Sequence, residues 1–232
     1  MSSNHLKRLA MPRSWPLPRK TTVWVTRPMP GAHSMELGMP INLVIRDVLG
    51  MANTSREVRY ILHNELAKID GRIVKDTRRT VGLMDVLTLG EDNFRCVLDH
   101  NGRLQYRPIS ADEAAWKVCR IEGKTTLKGG NTQLNLHDGR NIIVEDPSAY
   151  KTGDSLKVSL PEQTILEHIV FEVGTRCFLI GGTHVGSTAE MKEFFLKRSS
   201  MPNEVQFDGF GTVARNVFAI GSSAMPVTEG GQ

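Results

Sequence analysis

The chain of 232 residues is long enough for one large domain or several small ones, and 40% hydrophobic with 23% charged residues is typical of folded proteins. Its longest apolar stretches, at 41–45 and 177–180, are too short to cross a membrane, and its N-terminus lacks the apolar core of a secretory signal. A transit peptide needs an amphipathic helix, which the five prolines between residues 12 and 30 disfavour.

Positive charge is concentrated at the start of the chain. Residues 1–35 contain six basic residues and no acidic residue. Residues 36–110 contain 11 basic and 10 acidic residues, and residues 111–232 contain 12 basic and 15 acidic residues. Such a segment is either a solvated, disordered tail or an arm that binds a polyanion. Its two tryptophans, Trp15 and Trp24, favour an arm that becomes ordered on RNA, where cations neutralise phosphates and aromatic rings stack on bases.

Two helices are predicted after this arm. The first covers residues 41–50, and the second begins at a Thr-x-x-Glu capping box formed by Thr54 and Glu57. The apolar stripe of the second helix is Val58, Ile61, Leu62 and Leu66, and its opposite face is Arg56, Arg59, Tyr60 and His63. This polar face either is solvated or contacts RNA.

A tight hairpin is predicted next, because Asp70-Gly71 separates two short apolar runs. The basic residues around it are Lys68, Arg72, Lys75, Arg78 and Arg79. Residues 82–87 are predicted to form a further strand. Two helices and a hairpin with cations on one side indicate a compact RNA-binding unit.

From residue 94 onward the pattern is mostly β. Short apolar runs at 94–98, 104–109, 116–121, 133–136, 141–144, 156–160, 165–170, 177–180 and 217–220 are separated by turn residues, and Ser110 with Glu113 predicts a brief capped helix. Strands of this length and spacing are typical of small barrels. The fold class is therefore α+β and mainly β.

The sequence supports no catalytic chemistry, cofactor or metal. Gly123-Lys124-Thr125 lacks the earlier glycine of a P-loop, since Val118 stands there. His137-Asp138 is better explained by a turn at Asp138-Gly139 than by two metal ligands without others at suitable spacing. The three cysteines lie far apart, so a cysteine zinc site is not expected, and each is predicted to be a buried apolar residue in a reducing cytoplasm.

Several phrases of the sequence resemble, in order, those of the e-type protein four of the small ribosomal subunit, a family shared by archaea and eukaryotes. They are His5-Leu6-Lys7-Arg8-Leu9-Ala10 with Pro12 and Trp15, Pro28-Met29-Pro30-Gly31-Ala32-His33, Gly82-Leu83-Met84-Asp85-Val86, residues 133–142, Gly153-Asp154-Ser155-Leu156, and Asn216-Val217-Phe218-Ala219-Ile220-Gly221. The resemblance extends over residues 5–221. The length and the lack of a lysine-rich tail are similar to the archaeal branch.

The resemblance implies four parts and a role. The parts are a basic N-terminal extension at 1–41, an alpha-L RNA-binding domain at 42–106, a central β domain at 107–172 and a C-terminal SH3-like barrel of the KOW type at 173–222, followed by a loose tail at 223–232. The implied role is to bind and stabilise small-subunit rRNA in translation, without catalysis or a cofactor. The expected partners are this rRNA and neighbouring small-subunit proteins on the cytoplasmic ribosome, with no membrane and no homo-oligomer.

The predicted RNA-binding residues belong to the extension and the alpha-L domain. In the extension they are His5, Lys7, Arg8, Arg13, Trp15, Arg19, Lys20, Trp24, Arg27 and His33. In the alpha-L domain they are Arg46, Arg56, Arg59, His63, Lys68, Arg72, Lys75, Arg78 and Arg79. We expect deletion of residues 1–35 to abolish incorporation into the subunit while the remainder stays folded.

The C-terminal barrel is expected to contribute less to RNA binding. The family's loop carries an arginine and a further glycine after the glycines that correspond to Gly181, Gly182 and Gly186, but this chain has Ser187 and Ala189. Two other interpretations remain open: an RNA-modifying enzyme with an alpha-L domain, such as a pseudouridine synthase, and a free-standing regulator of translation or transcription. Co-sedimentation with small subunits through a salt wash would separate them.

Overall fold

The computed structural model describes residues 5–221, so the tail predicted at 223–232 lies outside the described residues. The chain divides into two compact units, which we describe separately. Unit 1 consists of residues 1–97 and 103–115, and unit 2 of residues 98–102 and 116–232. Strands dominate and the helices are few and short, which confirms the mainly β class.

Short strands alternate with a few helical turns along the described chain. The strands are β1 (Leu6–Lys7), β2 (Trp24–Val25), β3 (Gly38–Pro40), β4 (Ala67–Ile69), β5 (Arg72–Ile73), β6 (Thr80–Gly82), β7 (Val86–Leu89), β8 (Asp92–Leu98), β9 (Leu104–Ile109), β10 (Trp116–Thr126), β11 (Thr132–Leu136), β12 (Asn141–Val144), β13 (Ser155–Ser159), β14 (Ile165–Ile169), β15 (Arg176–Leu179), β16 (Thr188–Glu190), β17 (Glu193–Phe195), β18 (Glu204–Gln206), β19 (Gly211–Val213) and β20 (Val217–Ala219). The helices are α1 (Ile41–Leu43), α2 (Ser55–His63) and α3 (Ala111–Ala114), with a π-helical turn at Val44–Val48 and 3₁₀ turns at Arg8–Ala10 and Ala214–Asn216. None of the described helices is long and apolar enough to span a membrane.

The N-terminal extension is folded into unit 1. Strands β1 and β2 pair with each other, β3 pairs with β6, and the amide of Leu104 in β9 donates to the carbonyl of Ser14. Met11, Trp15 and Leu17 are buried hydrophobic residues. The alternative of a solvated tail is therefore wrong for the described residues of this segment, because its apolar side chains belong to the core.

The centre of unit 1 is a five-stranded sheet of order β5-β4-β7-β8-β9. The first predicted helix is present as α1 and the π-helical turn after it, where the amide of Leu49 donates to the carbonyl of Val44. Every residue from Ile41 to Ile45 is buried. Val58 and Leu62 of α2 are fully buried, so α2 carries its apolar stripe on the core side as the sequence predicted.

Two details of unit 1 correct the sequence-based expectations. Residues 82–87 do not form one strand, since β6 ends at Gly82, Met84 has a φ of 68°, and β7 begins at Val86. A turn forms there because the Asp85 carboxylate accepts the amide of Gly82 at 2.9 Å. Leu66 does not extend the apolar stripe of α2, because the helix ends at His63 and the Leu66 side chain is 49% exposed.

Unit 2 begins with a five-stranded antiparallel sheet of order β12-β11-β10-β13-β14. Its core includes Cys119, Leu134, Leu156 and Val158, which lie on strands whose exposed or half-buried residues face away from the core. Gly123-Lys124-Thr125 lies in β10, an extended strand. A P-loop connects a strand to a helix, so this placement agrees with its rejection from sequence.

Two three-stranded sheets complete unit 2, with orders β16-β15-β20 and β17-β18-β19. The predicted strands at 177–180 and 217–220 are thus present and pair with each other. Arg120 of β10 donates from Nη1 to the carbonyls of Arg215 and Val217 at 2.8 and 2.9 Å, which connects the large sheet to β20. All three cysteines are free and buried, as predicted.

Candidate nucleic-acid interface

Helix α2 carries a row of cations on its exposed side. The hydroxyl of Thr54 accepts the amide of Glu57, and the Glu57 carboxylate accepts the amides of Asn53 and Thr54, so the predicted capping box is confirmed. The pKa of Glu57 lies below its usual value, chiefly because its carboxylate accepts a hydrogen bond from the amide of Asn53. The hydrogen bond with the Thr54 side chain is the second cause. This cap fixes where the helix begins and therefore which side chains face solvent.

The exposed face of α2 consists of Arg56, Arg59, Tyr60 and His63, and Tyr60 is 70% exposed. Residues three and four apart in a helix lie above one another, so these four side chains form one continuous row. Neither Arg56 nor Arg59 has a carboxylate within 4.0 Å in the described part of the chain. Cations left unpaired on a rigid helix can neutralise the phosphates of a bound nucleic acid at little cost in ordering.

The predicted hairpin after α2 is present. Strands β4 and β5 pair antiparallel, and Asp70 and Gly71 have φ values of 50° and 76°, as the two central positions of a type I′ turn require. The Asp70 carboxylate accepts the amide of Val86 at 2.9 Å, which ties the turn to β7. Lys68 and Arg72 are exposed on this hairpin. Lys75 is exposed too, but its ammonium pairs with Glu65 at 2.8 Å.

The remaining predicted residues of the alpha-L segment differ in exposure. Arg79 is exposed, and its neighbour Arg78 is half-buried. Nε of Arg78 has no hydrogen-bond partner among the described residues. Arg46 is half-buried, pairs with Asp47 at 2.7 Å and donates to the hydroxyl of Ser55 at 2.9 Å. Arg46 is therefore largely engaged within the protein.

The extension places one group of its predicted residues at the surface. His5, Lys7, Arg13, Lys20 and Trp24 are exposed. The rings of His5 and Trp24 meet edge to face with 5.5 Å between centroids. Two further cations of this segment, Arg19 and Arg27, are half-buried, and Nη1 of Arg19 donates to the carbonyl of Leu9.

Three predicted residues of the extension are buried instead. Trp15 is 2% exposed, and its Nε1–H donates to the carbonyls of Met35 and Gly38 at 3.1 and 3.0 Å. The His33 side chain is buried against Asp85, with 2.8 Å between Nε2 and Oδ2. Arg8 is 6% exposed. Residue type indicated RNA contact for all three, but type alone does not distinguish a residue that supports the interface from one that forms it.

A surface groove of about 830 Å³ lies beside Arg8 and Trp24. Its wall includes Thr21, Thr22 and Asn53, which the sequence did not indicate as site residues. No sequence signal marks them, because the groove forms only when residues 16–24 fold next to residues 46–53.

The two units differ in net charge, as expected from the excess of basic residues at the start of the sequence and of acidic residues after residue 110. Unit 1 has 17 basic and 11 acidic residues, a net charge of +6, and unit 2 has 12 basic and 14 acidic residues, a net charge of −2.

In unit 2, Gly186 has a φ of 79°, and a Cβ there would lie 2.6 Å from the Asp99 backbone. The positive φ and the close packing therefore explain this glycine without an RNA contact.

One cluster in unit 2 brings three metal-ligating residue types together. A sulfur, a ring nitrogen and a carboxylate oxygen of Cys119, His137 and Asp138 lie within 4.8 Å of one another. Oδ2 of Asp138, however, is 2.5 Å from Nζ of Lys117 and 3.2 Å from Nε of Arg140. A metal ion would have to displace two cations, so the cluster fits a buried ion pair better than a metal site.

Comparison with known proteins identifies similar chains over nearly the whole length. A family model described as "Ribosomal family S4e" matches residues 90–165, and one described as "RS4NT (NUC023) domain" matches residues 2–36. The small ribosomal subunit protein eS4 of Methanocella arvoryzae is 41% identical over 99% of this chain and 99% of its own. That of Methanocaldococcus jannaschii is 43% identical, over 94% of this chain and 93% of its own.

A solved structure is similar as well. The crystal structure of the 30S ribosomal protein S4e from Thermoplasma acidophilum matches with a TM-score of 0.71 and 34% identity. The match covers 81% of this chain and 96% of that one.

Proposed function

The chain belongs to the S4e family of ribosomal proteins, and from this membership we propose that unit 1 is the part that holds it on ribosomal RNA. It is a structural protein of the small ribosomal subunit, associated with rRNA in translation on the cytoplasmic ribosome, and it is not an enzyme. The observation that carries the proposal is the row of Arg56, Arg59 and His63 along the exposed face of α2.

The RNA contacts are assigned to surface side chains of unit 1. They are His5, Lys7, Arg13, Lys20 and Trp24 in the extension and Arg56, Arg59, His63, Lys68, Arg72, Lys75 and Arg79 after it. The half-buried Arg19, Arg27, Arg46 and Arg78 contribute charge next to them. Each phosphate that these cations neutralise releases counterions, so affinity falls steeply with salt. Trp15 and His33 support this surface from within unit 1.

Four domains are assigned within the chain. Residues 1–41 are the extension and residues 42–106 the alpha-L domain, which is supported by α2 followed by the β4–β5 hairpin. Residues 107–172 are the central β domain, supported by the sheet of β10 to β14, and residues 173–222 are a KOW-type SH3-like barrel, supported by the two small sheets.

Unit 2 is assigned to protein neighbours rather than to RNA. Its net charge of −2 repels phosphate, whereas a basic surface on a neighbouring protein would complement it. The chain acts as a single copy in its subunit and not as a homo-oligomer.

The test compares matched charge reversals in the full chain. Small subunits are purified from cells that express tagged variants and are washed with moderate salt, and the retained fraction is measured. Arg56→Glu with Arg59→Glu is expected to lower retention severalfold, because two phosphate contacts become repulsive. The control, Lys128→Glu with Arg198→Glu, makes the same charge change at surface positions of unit 2 and is expected to leave retention unchanged.

Two outcomes would contradict the proposal. Equal loss in both double variants would show that only net charge matters, not the α2 face. A wild-type chain that leaves the subunits in the wash would be a regulator or an accessory factor rather than a structural constituent.

A further inference from the structure

The groove beside β1 and β2 contains a buried cation without a counter-ion. Arg8 lines it, is 6% exposed, and donates from Nε to the carbonyl of Pro18 at 2.5 Å and from Nη1 to the hydroxyl of Thr22 at 3.1 Å. Both acceptors are uncharged, and no carboxylate lies within 4.0 Å of Arg8 in the described part of the chain. A buried charge is costly unless it is paired, so the remaining N–H groups of Arg8 favour an anion in the groove.

The other charges of the groove neutralise each other. Arg46 and Asp47 both line it, and they pair through two hydrogen bonds, Nε to Oδ1 at 3.2 Å and Nη2 to Oδ2 at 2.7 Å. The net charge of the lining is therefore that of Arg8 alone. One singly charged group such as a phosphodiester would neutralise it.

An exposed aromatic ring lines the same groove as this cation. Trp24 lines the groove, is 54% exposed, and lies opposite Lys7 in the β1–β2 pair, while the amide of Arg8 donates to the carbonyl of the adjacent Val23. The β1–β2 pairing fixes the backbone of Trp24, while about half of its side chain stays exposed to solvent. An exposed indole on a fixed strand offers a stacking surface for an unpaired base.

We propose that this groove receives one unpaired nucleotide of RNA, with the base against Trp24 and its phosphate at Arg8. The proposal rests on the RNA-binding function of unit 1 and assigns it one particular site. A volume of about 830 Å³ lies in the range of small-ligand sites, and the combination of one ring with one uncompensated cation matches one base and one phosphate. A free inorganic anion would use Arg8 but would not stack on the exposed ring of Trp24.

The test measures the affinity of the full chain for a fluorescein-labelled single-stranded RNA hexamer of adenosines at low salt, by fluorescence anisotropy. Trp24→Ala is expected to weaken binding about tenfold, and Trp24→Phe by less, because stacking of one base on an aromatic ring contributes ~5- to 150-fold by alanine substitution. Thr21→Glu, which places a carboxylate in the groove wall, should weaken it similarly. The control is Leu9→Ala, in the same segment, 67% exposed and outside the groove lining.

The outcomes are separable. If Trp24→Ala binds the hexamer as the wild type does, the nucleotide site is wrong. A second outcome also overturns the proposal. If Thr21→Glu weakens hexamer binding while Trp24→Ala does not, and inorganic phosphate competes with the hexamer equally well in the two variants, the groove binds only an anion. Loss of the wild-type chain from salt-washed subunits would instead contradict the proposed function, whatever the hexamer result.

Discussion

Trp15 shows at the scale of one residue why a basic, aromatic segment does not identify its own contacts. The indole is 2% exposed, and its N–H is shared between the carbonyls of Met35 and Gly38. We expect Trp15→Ala to lower the free energy of unfolding by about 3–5 kcal/mol, since it leaves a cavity and two unpaired carbonyls. Urea unfolding followed by circular dichroism measures this change.

The matched control is Trp24→Ala, which removes a 54% exposed ring from the same segment. It should change stability by less than about 1 kcal/mol, as is usual for surface substitutions. If the two variants lost similar stability, Trp15 would not be a core residue, and its assignment to RNA contact would regain support.

The scale of elements is where sequence reasoning is most informative, and α2 provides a test. Thr54→Ala is expected to cost about 1 kcal/mol, because the amide of Glu57 loses its acceptor. The Glu57 carboxylate is held below its usual pKa chiefly by the amide of Asn53. A depressed carboxyl pKa stabilises the fold above the unfolded value of 4.5, and this contribution is lost as pH falls through the lower folded value.

The contribution of the Glu57 charge is measured as the difference in urea midpoint between the wild type and Glu57→Gln from pH 7 to pH 3. The wild type should be more stable than the variant at pH 7 and should lose this extra stability below pH 4.5, because the Glu57 carboxylate becomes protonated. Glu57→Gln has no carboxyl group to protonate at this position. A difference that does not depend on pH would show that the cap acts through packing and not through the charge of Glu57.

The elements predicted correctly depend on neighbours in the sequence. The capping box at Thr54 and the turn at Asp70-Gly71 each need only a few adjacent residues, so a single sequence indicates them. The turn after β6 was not predicted, in part because it involves a distant contact. The Asp85 carboxylate that accepts the amide of Gly82 also pairs with the ring of His33, and no local pattern marks a pairing across 52 positions.

The same reasoning separates what was predictable of the candidate site. The exposed cations of α2 followed from helical periodicity, since their face is opposite to Val58 and Leu62. The burial of Arg8 and the groove beside it did not follow, because they arise where the extension folds beside Arg46 and Asp47. Residue type indicated an RNA-binding segment, and only the tertiary structure distinguishes its surface from its core.

At the scale of the whole molecule, charge is divided between the units, but the extension is not a removable anchor. Unit 1 carries +6 and unit 2 carries −2. The structure argues against the expectation that deletion of residues 1–35 leaves the remainder folded, because the deletion removes Met11, Trp15 and Leu17 from the core of unit 1. Loss of RNA binding in that truncation would therefore report unfolding as much as lost contacts.

A charge reversal in the intact chain tests the extension instead. In the triple variant Lys7→Glu, Arg13→Glu, Lys20→Glu all three changes are at surface positions, so α2 should keep its protection from hydrogen exchange, whereas truncation of residues 1–35 should abolish it. Filter binding to small-subunit rRNA over a range of salt should give a slope shallower by about 2–3, since each lost phosphate contact removes ~0.7–0.9. The reversal of Lys128, Lys151 and Arg198 is the matched control in unit 2 and should leave the slope unchanged. An unchanged slope in the extension variant, or protected α2 amides in the truncation, would show that the extension neither contacts RNA nor supports unit 1.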